Sequence, residues 1–157
     1  MRTLPILLLA AAALAVPAAA AHASTPTVPP FIQKAARAKA GALTYAPTRL
    51  PRKYAYLRYR WLPASRQLTF WFADSRYPVN GKHSLAFTSE PFAGTLASCA
   101  GGKQKTLQLD GNKVYWDEGV AWRCVTGADG KLVKLLASGP NLPDVALGIV
   151  VASGKRL

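Results

Sequence analysis

Residue types on which enzymes and small metal-binding domains depend are scarce in this chain. Its 157 residues include two cysteines, two histidines and one methionine, and seven acidic residues stand against 20 lysines and arginines. Two cysteines are too few for a disulfide-dense mini-protein or a four-cysteine zinc module. Because half of the residues are hydrophobic, the composition is not that of a disordered basic tail. The length suits a single domain.

The first 23 residues have the pattern of a secretory signal peptide. Arg2 precedes an almost wholly apolar run at residues 4–16, and Ala21-His22-Ala23 offers a small-x-small cleavage site. The run is shorter than the roughly 20 residues of a membrane-spanning helix, although an uncleaved anchor is the alternative. We predict cleavage after Ala23 and a secreted, extracytoplasmic mature protein without a transmembrane anchor. Its formal net charge would fall by one, from +13 to +12, since the removed segment holds one arginine and no acid.

The two cysteines, Cys99 and Cys124, are predicted to form a disulfide bond, since an oxidising compartment favours one. A reactive thiol is the alternative, and after cleavage His83 would be its one imidazole partner. Two cysteines and one histidine also make a poor metal site. We therefore expect no metal and no cofactor.

Residues 24–48 are predicted to be a proline-rich linker followed by a short helix. Residues 24–30 contain three prolines, which suit neither a helix nor a central strand. Residues 31–40 are good helix formers, and Gly41 is a natural stop. Residues 43–51 are predicted to be a loop that leads into the main domain, residues 49–157.

Alternating apolar and polar residues predict an antiparallel sheet of about six or seven strands in meander order. The predicted strands are 54–61, 67–74, 83–88, 105–109, 113–116, 120–125 and 131–137. Six aromatic residues are predicted to build the core, with a lipid-lined cleft as the alternative: Tyr59, Trp61, Phe70, Phe72, Trp116 and Trp122.

The last segment, residues 141–157, breaks the strand pattern. Asn141 can cap a helix, Pro143 is tolerated in a first turn, and Asp144 complements the helix dipole. Residues 145–152 are therefore predicted to form a buried helix, with a strand as the alternative because several are β-branched. The predicted fold class is α+β: a curved antiparallel sheet packed on a C-terminal helix, with a short N-terminal helix and one disulfide.

Basic and aromatic residues concentrate at the start of the first predicted strand. Alternation places Arg58 and Arg60 on one strand face with two tyrosines. Charge and stacking together can hold anionic partners. The alternative is a basic surface that only keeps the protein soluble. The predicted binding residues are Arg49, Arg52, Lys53, Tyr54, Tyr56, Arg58 and Arg60.

These features favour a non-enzymatic binding protein of the cell envelope or the extracellular space. Its expected partner is anionic or amphipathic: an envelope polymer or phospholipid headgroups, with extracellular nucleic acid as a further candidate. Most acidic residues sit in turn signals, and no nucleophile elbow, P-loop or zincin motif is present. Two alternatives stay open. One is a small secreted hydrolase that uses Glu90, Asp117 or His83, and the other is a structural accessory protein without a ligand.

The order of several motifs resembles a family of bacterial extracytoplasmic domains of unknown function, found in secreted and anti-sigma-factor-like proteins. The resemblance covers residues 49–153. It implies a curved antiparallel sheet packed on a helix, similar to lipoprotein-carrier half-barrels, and it implies sensing or binding with no catalytic residues. The matching motifs are Leu50-Pro51-x-x-Tyr54, Leu68-Thr69-Phe70-Trp71-Phe72, Asp110-Gly111-Asn112-Lys113-Val114-Tyr115-Trp116, Ala121-Trp122-Arg123 and Asp129-Gly130.

Overall fold

The computed structural model describes residues 27–76, 83–102 and 105–157. The predicted signal peptide and its cleavage site lie outside these residues. The described residues form two α-helices and nine strands. In chain order they are α1 (Pro30–Ala40), β1 (Tyr45–Pro47), β2 (Tyr56–Leu62), β3 (Gln67–Ala73), β4 (Ser84–Pro91), β5 (Lys105–Leu109), β6 (Asn112–Asp117), β7 (Val120–Thr126), β8 (Leu132–Ser138), α2 (Asp144–Ala152) and β9 (Gly154–Arg156).

Seven of these strands form one antiparallel sheet, as the alternation predicts. Their spatial order is β2-β3-β4-β8-β7-β6-β5, so the predicted meander is wrong at one connection. β4 pairs with β8, with Phe87 opposite Ala137, and the chain then continues to β5 at the far edge. Alternation along a strand sets which side each residue faces, but it does not select a partner strand that is distant in sequence.

One side of the sheet, here called the inner face, carries the core. On β3 and β4 the inward aromatic residues are Phe70, Phe72 and Phe87, and each is at most 2% exposed. Both helices pack on this side: α1 contacts β2 and β3, and α2 contacts β6, β7 and β8. The opposite side, here called the outer face, has no α-helix against it among the described residues.

Five of the six predicted core aromatics lie in or against the core, and one does not. Phe70 and Phe72 are buried in the core. Tyr59, Trp61 and Trp116 are partly buried and pack against the core at its margin. Trp122 lies on the outer face, where its indole Nε1 donates a hydrogen bond to the Cys99 carbonyl at 2.9 Å. The neighbouring Ala121 is fully buried, and adjacent strand residues face opposite sides.

The segment predicted to be a loop, residues 43–51, contains strand β1. β1 pairs with β9 at the C-terminus, with Tyr45 opposite Arg156 and Pro47 opposite Gly154. A three-residue strand shows no measurable alternation, and its partner is remote in sequence, so local patterns could not reveal it. Val28, 1% exposed, and Tyr45 belong to the same core as the sheet residues. Residues 27–48 therefore pack as part of the main body.

The C-terminal helix α2 is confirmed, but its start differs from the prediction. Pro143 occupies the N-cap position, and Asn141 lies before it with φ of 60°, so Asn141 does not cap. Gly148 allows α2 to approach the sheet closely, because a Cβ there would lie 2.9 Å from Leu109 Cδ1. Neither described helix has the length and apolar character that crossing a bilayer requires.

The predicted disulfide between Cys99 and Cys124 is confirmed. It joins residues 25 positions apart and ties a short 3-10 turn, Ser98–Ala100, to strand β7. The Cys99 backbone is also held by the Trp122 indole. The connection between β4 and β5 is thereby fixed against the outer face of β7.

Replacing both cysteines (Cys99→Ser with Cys124→Ser) should lower the free energy of unfolding by about 3 kcal/mol, because the open chain regains the entropy of the closed loop. Urea unfolding followed by circular dichroism measures the change. Reduction of the wild-type protein should cause the same loss. An unchanged unfolding midpoint in the double variant would show that the bond does not stabilise the fold.

Candidate binding surface on the outer face of the sheet

The structure divides the seven predicted binding residues into separate groups. Tyr56, Arg58 and Arg60 lie on β2 and point to the outer face, where all three are exposed. Tyr56 is 44% exposed, unusual for a large aromatic side chain in this protein. These three residues form the part of the predicted site that the sheet brings together.

Arg49 and Arg52 each meet a carboxylate instead. Arg49 forms an ion pair with Asp110, and Arg52 Nη1 lies 3.3 Å from Asp74 Oδ2. Both pairs are exposed, so each contributes at most about 1 kcal/mol to stability. They nevertheless balance the two arginine charges locally. Lys53, which follows Arg52 directly in sequence, is exposed.

Tyr54 does not share the face of Arg58 and Arg60, contrary to the prediction from alternation. β2 begins at Tyr56, so the alternation does not extend back to residue 54. The Tyr54 ring instead packs against Phe72, with centroids 6.0 Å apart. Burial raises the pKa of the Tyr54 hydroxyl, while Arg52 lowers this pKa and Asp74 raises it. Among the described residues this hydroxyl has no hydrogen-bond partner.

The register of the first hairpin adds an aromatic residue that the predicted site lacks. Arg58 lies opposite Trp71, and Tyr56 lies opposite Ala73. Side chains directly opposite on an antiparallel pair have Cβ atoms about 5 Å apart, so Trp71 adjoins the Arg58 side chain on the outer face. Leu62 and Gln67 pair next to the short turn at 63–66, and counting four residues from each of them gives the pair Arg58–Trp71. This count from the turn is the sequence signal that could have identified Trp71.

The charges of Arg58 and Arg60 are not balanced locally. In the described parts of the chain, no carboxylate lies within ion-pair distance of either guanidinium. Two residues on the same face of a strand are about 6.6 Å apart, so the two charges act on nearby parts of any partner. The sheet thus presents two free cations beside Tyr56 and Trp71.

Across the sheet from β3, the outer face continues as a strip of mostly small side chains on β4, with Leu136 of β8 opposite Thr88. Thr69 lies opposite Thr88, with their hydroxyl oxygens 3.0 Å apart, and Ala86 lies opposite Ser138. Beyond the strip, Lys134 Nζ lies 5.3 Å from the Trp122 ring centre. A cation beside an aromatic ring therefore borders the strip on both sides.

The three residues of the hydrolase alternative are not brought together. His83 precedes β4, and Glu90 lies seven positions further along, which corresponds to roughly 23 Å of extended strand. Asp117 is on β6, three strand spacings or about 14 Å from β4. A glycosidase needs two carboxyl groups within about 5–9.5 Å. Glu90 instead accepts a hydrogen bond from Gln67 Nε2 at 2.8 Å.

Within the same described residues, no group of three or more histidine, cysteine, aspartate or glutamate side chains could hold a metal ion. The free cations and rings on the outer face are suited to non-covalent attraction of negative groups. They supply no nucleophile and no general base.

Comparison with known proteins identifies a distant structural likeness. No protein-family profile and no curated protein sequence matches the chain. The crystal structure of MucB in complex with MucA(peri) matches with a TM-score of 0.39 and 14% identity, over 72% of this chain and 36% of that chain. This chain therefore spans little more than a third of that structure, and a likeness at this level assigns no function. The family resemblance stays a prediction.

Replacing Tyr54 by phenylalanine (Tyr54→Phe) should reduce the loss of stability at alkaline pH. Since the folded protein has the higher Tyr54 pKa, the contribution of the neutral hydroxyl is complete below the unfolded pKa of about 10 and is lost as the pH rises through the folded pKa. Urea unfolding at about pH 8 and about pH 11 measures this difference.

Part of the alkaline loss should remain in the variant, because burial also raises the pKa of Tyr45. The variant should be no less stable than wild type near neutral pH, since the lost hydroxyl makes no hydrogen bond to the described residues. If wild type and the Tyr54→Phe variant lost the same free energy of unfolding between about pH 8 and about pH 11, the raised pKa of Tyr54 would be contradicted.

Proposed function

We propose that the protein is an extracytoplasmic binding protein that attaches to an anionic phospholipid surface through the outer face of its sheet. The observation that carries the proposal is the pair of exposed arginines, Arg58 and Arg60, without a carboxylate partner among the described residues. They lie beside Tyr56 and Trp71 on a sheet face against which no described α-helix packs.

The expected energies are sufficient for reversible attachment. Each basic side chain near an anionic membrane surface contributes about 1 kcal/mol. Tyrosine and tryptophan favour the interface, because one end of each ring is apolar and the other is polar. The net charge of +13 on the whole sequence adds a longer-range attraction toward negative surfaces.

The combination of rings and cations favours a lipid surface over a purely charged polymer. A purely charged polymer such as polyphosphate offers only negative charge, whereas a headgroup layer offers phosphates above an apolar region. Tyr56 and Trp71 stand on the same face as the two arginines, so all four can reach a flat surface together. The disulfide is consistent with an extracytoplasmic location, since such bonds persist in oxidising compartments.

Removing the two outer-face charges (Arg58→Gln with Arg60→Gln) should weaken binding to phosphatidylglycerol vesicles by about 2 kcal/mol, or roughly thirtyfold. Vesicle sedimentation measures the partition of protein between pellet and supernatant. The matched control is Lys34→Gln with Arg37→Gln, which removes the same charge from exposed positions on α1. The control should bind within about threefold of wild type, because α1 lies on the inner face.

Two further arms separate this proposal from its alternatives. Binding should fall as salt rises and should be weak on neutral phosphatidylcholine vesicles. Equal losses in both double variants would mean that bulk charge, not the outer face, drives attachment. Retention on polyphosphate beads without binding to anionic vesicles would contradict a lipid partner and favour an anionic polymer.

A further inference from the structure

Strands β6 and β7 separate before either of them ends. Their ladder stops at the pair Tyr115–Trp122, although β6 begins at Asn112 and β7 continues to Thr126. A pocket of about 410 Å³ lies where they diverge. The first residues of β6 line one side of it, and Arg123 and Cys124 line the other.

The loop that carries Cys99 lines this pocket with Leu96, Ala97 and Cys99. The disulfide ties the loop to Cys124, and the Trp122 indole binds the Cys99 carbonyl. Within the loop, the Thr95 amide donates to Ser98 Oγ at 2.8 Å. Leu96, which is 56% exposed, stands at the rim. The loop is therefore held in place beside the pocket by the disulfide and by hydrogen bonds.

The pocket lining carries two cations and no carboxylate: Lys113 and Arg123 stand with Asn112 and Tyr115 among its residues. Lys113 is exposed, and its Nζ lies 5.4 Å from the Tyr115 ring centre. A lining of this kind attracts negative groups.

Arg123 is held in position but has no negative partner among the described residues. Its Nη1 donates to Asn112 Oδ1, and its Nη2 donates to the Gly154 carbonyl at 2.8 Å. Its Nε is buried without a partner in the described part of the chain, and burial lowers the pKa of the guanidinium. A desolvated cation that meets only neutral acceptors is stabilised further when an anion approaches it.

We propose that this pocket binds a small organic anion. Its oxyanion group contacts Lys113 on the outer face, the Arg123 charge lies behind it toward the inner face, and its apolar body contacts Leu96 and Tyr115. The volume falls within the range of about 300–1,000 Å³ that is usual for small-molecule sites. The pocket is separate from the Tyr56, Arg58, Arg60 and Trp71 surface, so this proposal does not depend on lipid binding.

The test uses anilinonaphthalene sulfonate, an aromatic anion whose fluorescence rises in an apolar environment, titrated into the full mature chain. Saturable binding at one site is expected. Lys113→Ala should weaken the affinity by at least about tenfold, since a charge-assisted contact is lost. Lys34→Ala, an exposed lysine on α1, removes the same charge elsewhere and should leave the affinity unchanged. Lys113→Glu should weaken binding more than Lys113→Ala does.

Amide chemical shifts recorded during the same titration locate the bound probe. Shifts confined to residues 96–99, 111–115 and 122–124 support the proposal. Equal affinities in Lys113→Ala and Lys34→Ala, shifts at another surface, or no binding of the probe would each overturn it. These outcomes are independent of the vesicle experiment, in which the Arg58 and Arg60 charges are removed.

Discussion

The packing of both helices on one side of the sheet is the constraint on which the rest of this structure depends. One row of paired residues crosses the inner face from edge to edge, and the size of their side chains differs from strand to strand. Phe70 and Phe87 fill the part near β3 and β4, whereas Ala137 and Ala121 occupy β8 and β7, where α2 contacts the sheet. Small residues leave room for the helix, and large rings fill the space that α2 does not reach.

The core and the candidate surface follow from the same alternation. The period of two that turns Leu57, Tyr59 and Trp61 toward the core turns Tyr56, Arg58 and Arg60 outward. A slip of one residue would bury two arginines and expose the aromatic residues, so burial of the core fixes the surface as well. The surface is built on paired strands, and its geometry is therefore as well determined as that of the sheet.

The sequence predicted those features that depend on local spacing. The seven strands of the main sheet, both helices and the single disulfide between Cys99 and Cys124 follow from alternation, stop signals and cysteine number, and the structure contains them. The pairing of β4 with β8 and of β1 with β9 depends on contacts between distant segments. The ion pair of Arg49 with Asp110 is likewise long-range, so a run of basic residues could not reveal which charges are already balanced.

The unpredicted connection between β4 and β5 explains why the outer face has two chemically different parts. β4 lies inside the sheet and β5 at its edge, so the chain between them must pass across β8, β7 and β6. Its described part, residues 92–102, passes over the outer face, where the disulfide and the Trp122 indole hold it against β7. That passage lines the pocket between β6 and β7, whereas no described α-helix packs on the outer face of β2, β3 and β4. A pocket open on one side suits one small anion, and an open row of cations and rings suits an extended surface. The two proposed activities therefore follow from a single crossing of the chain.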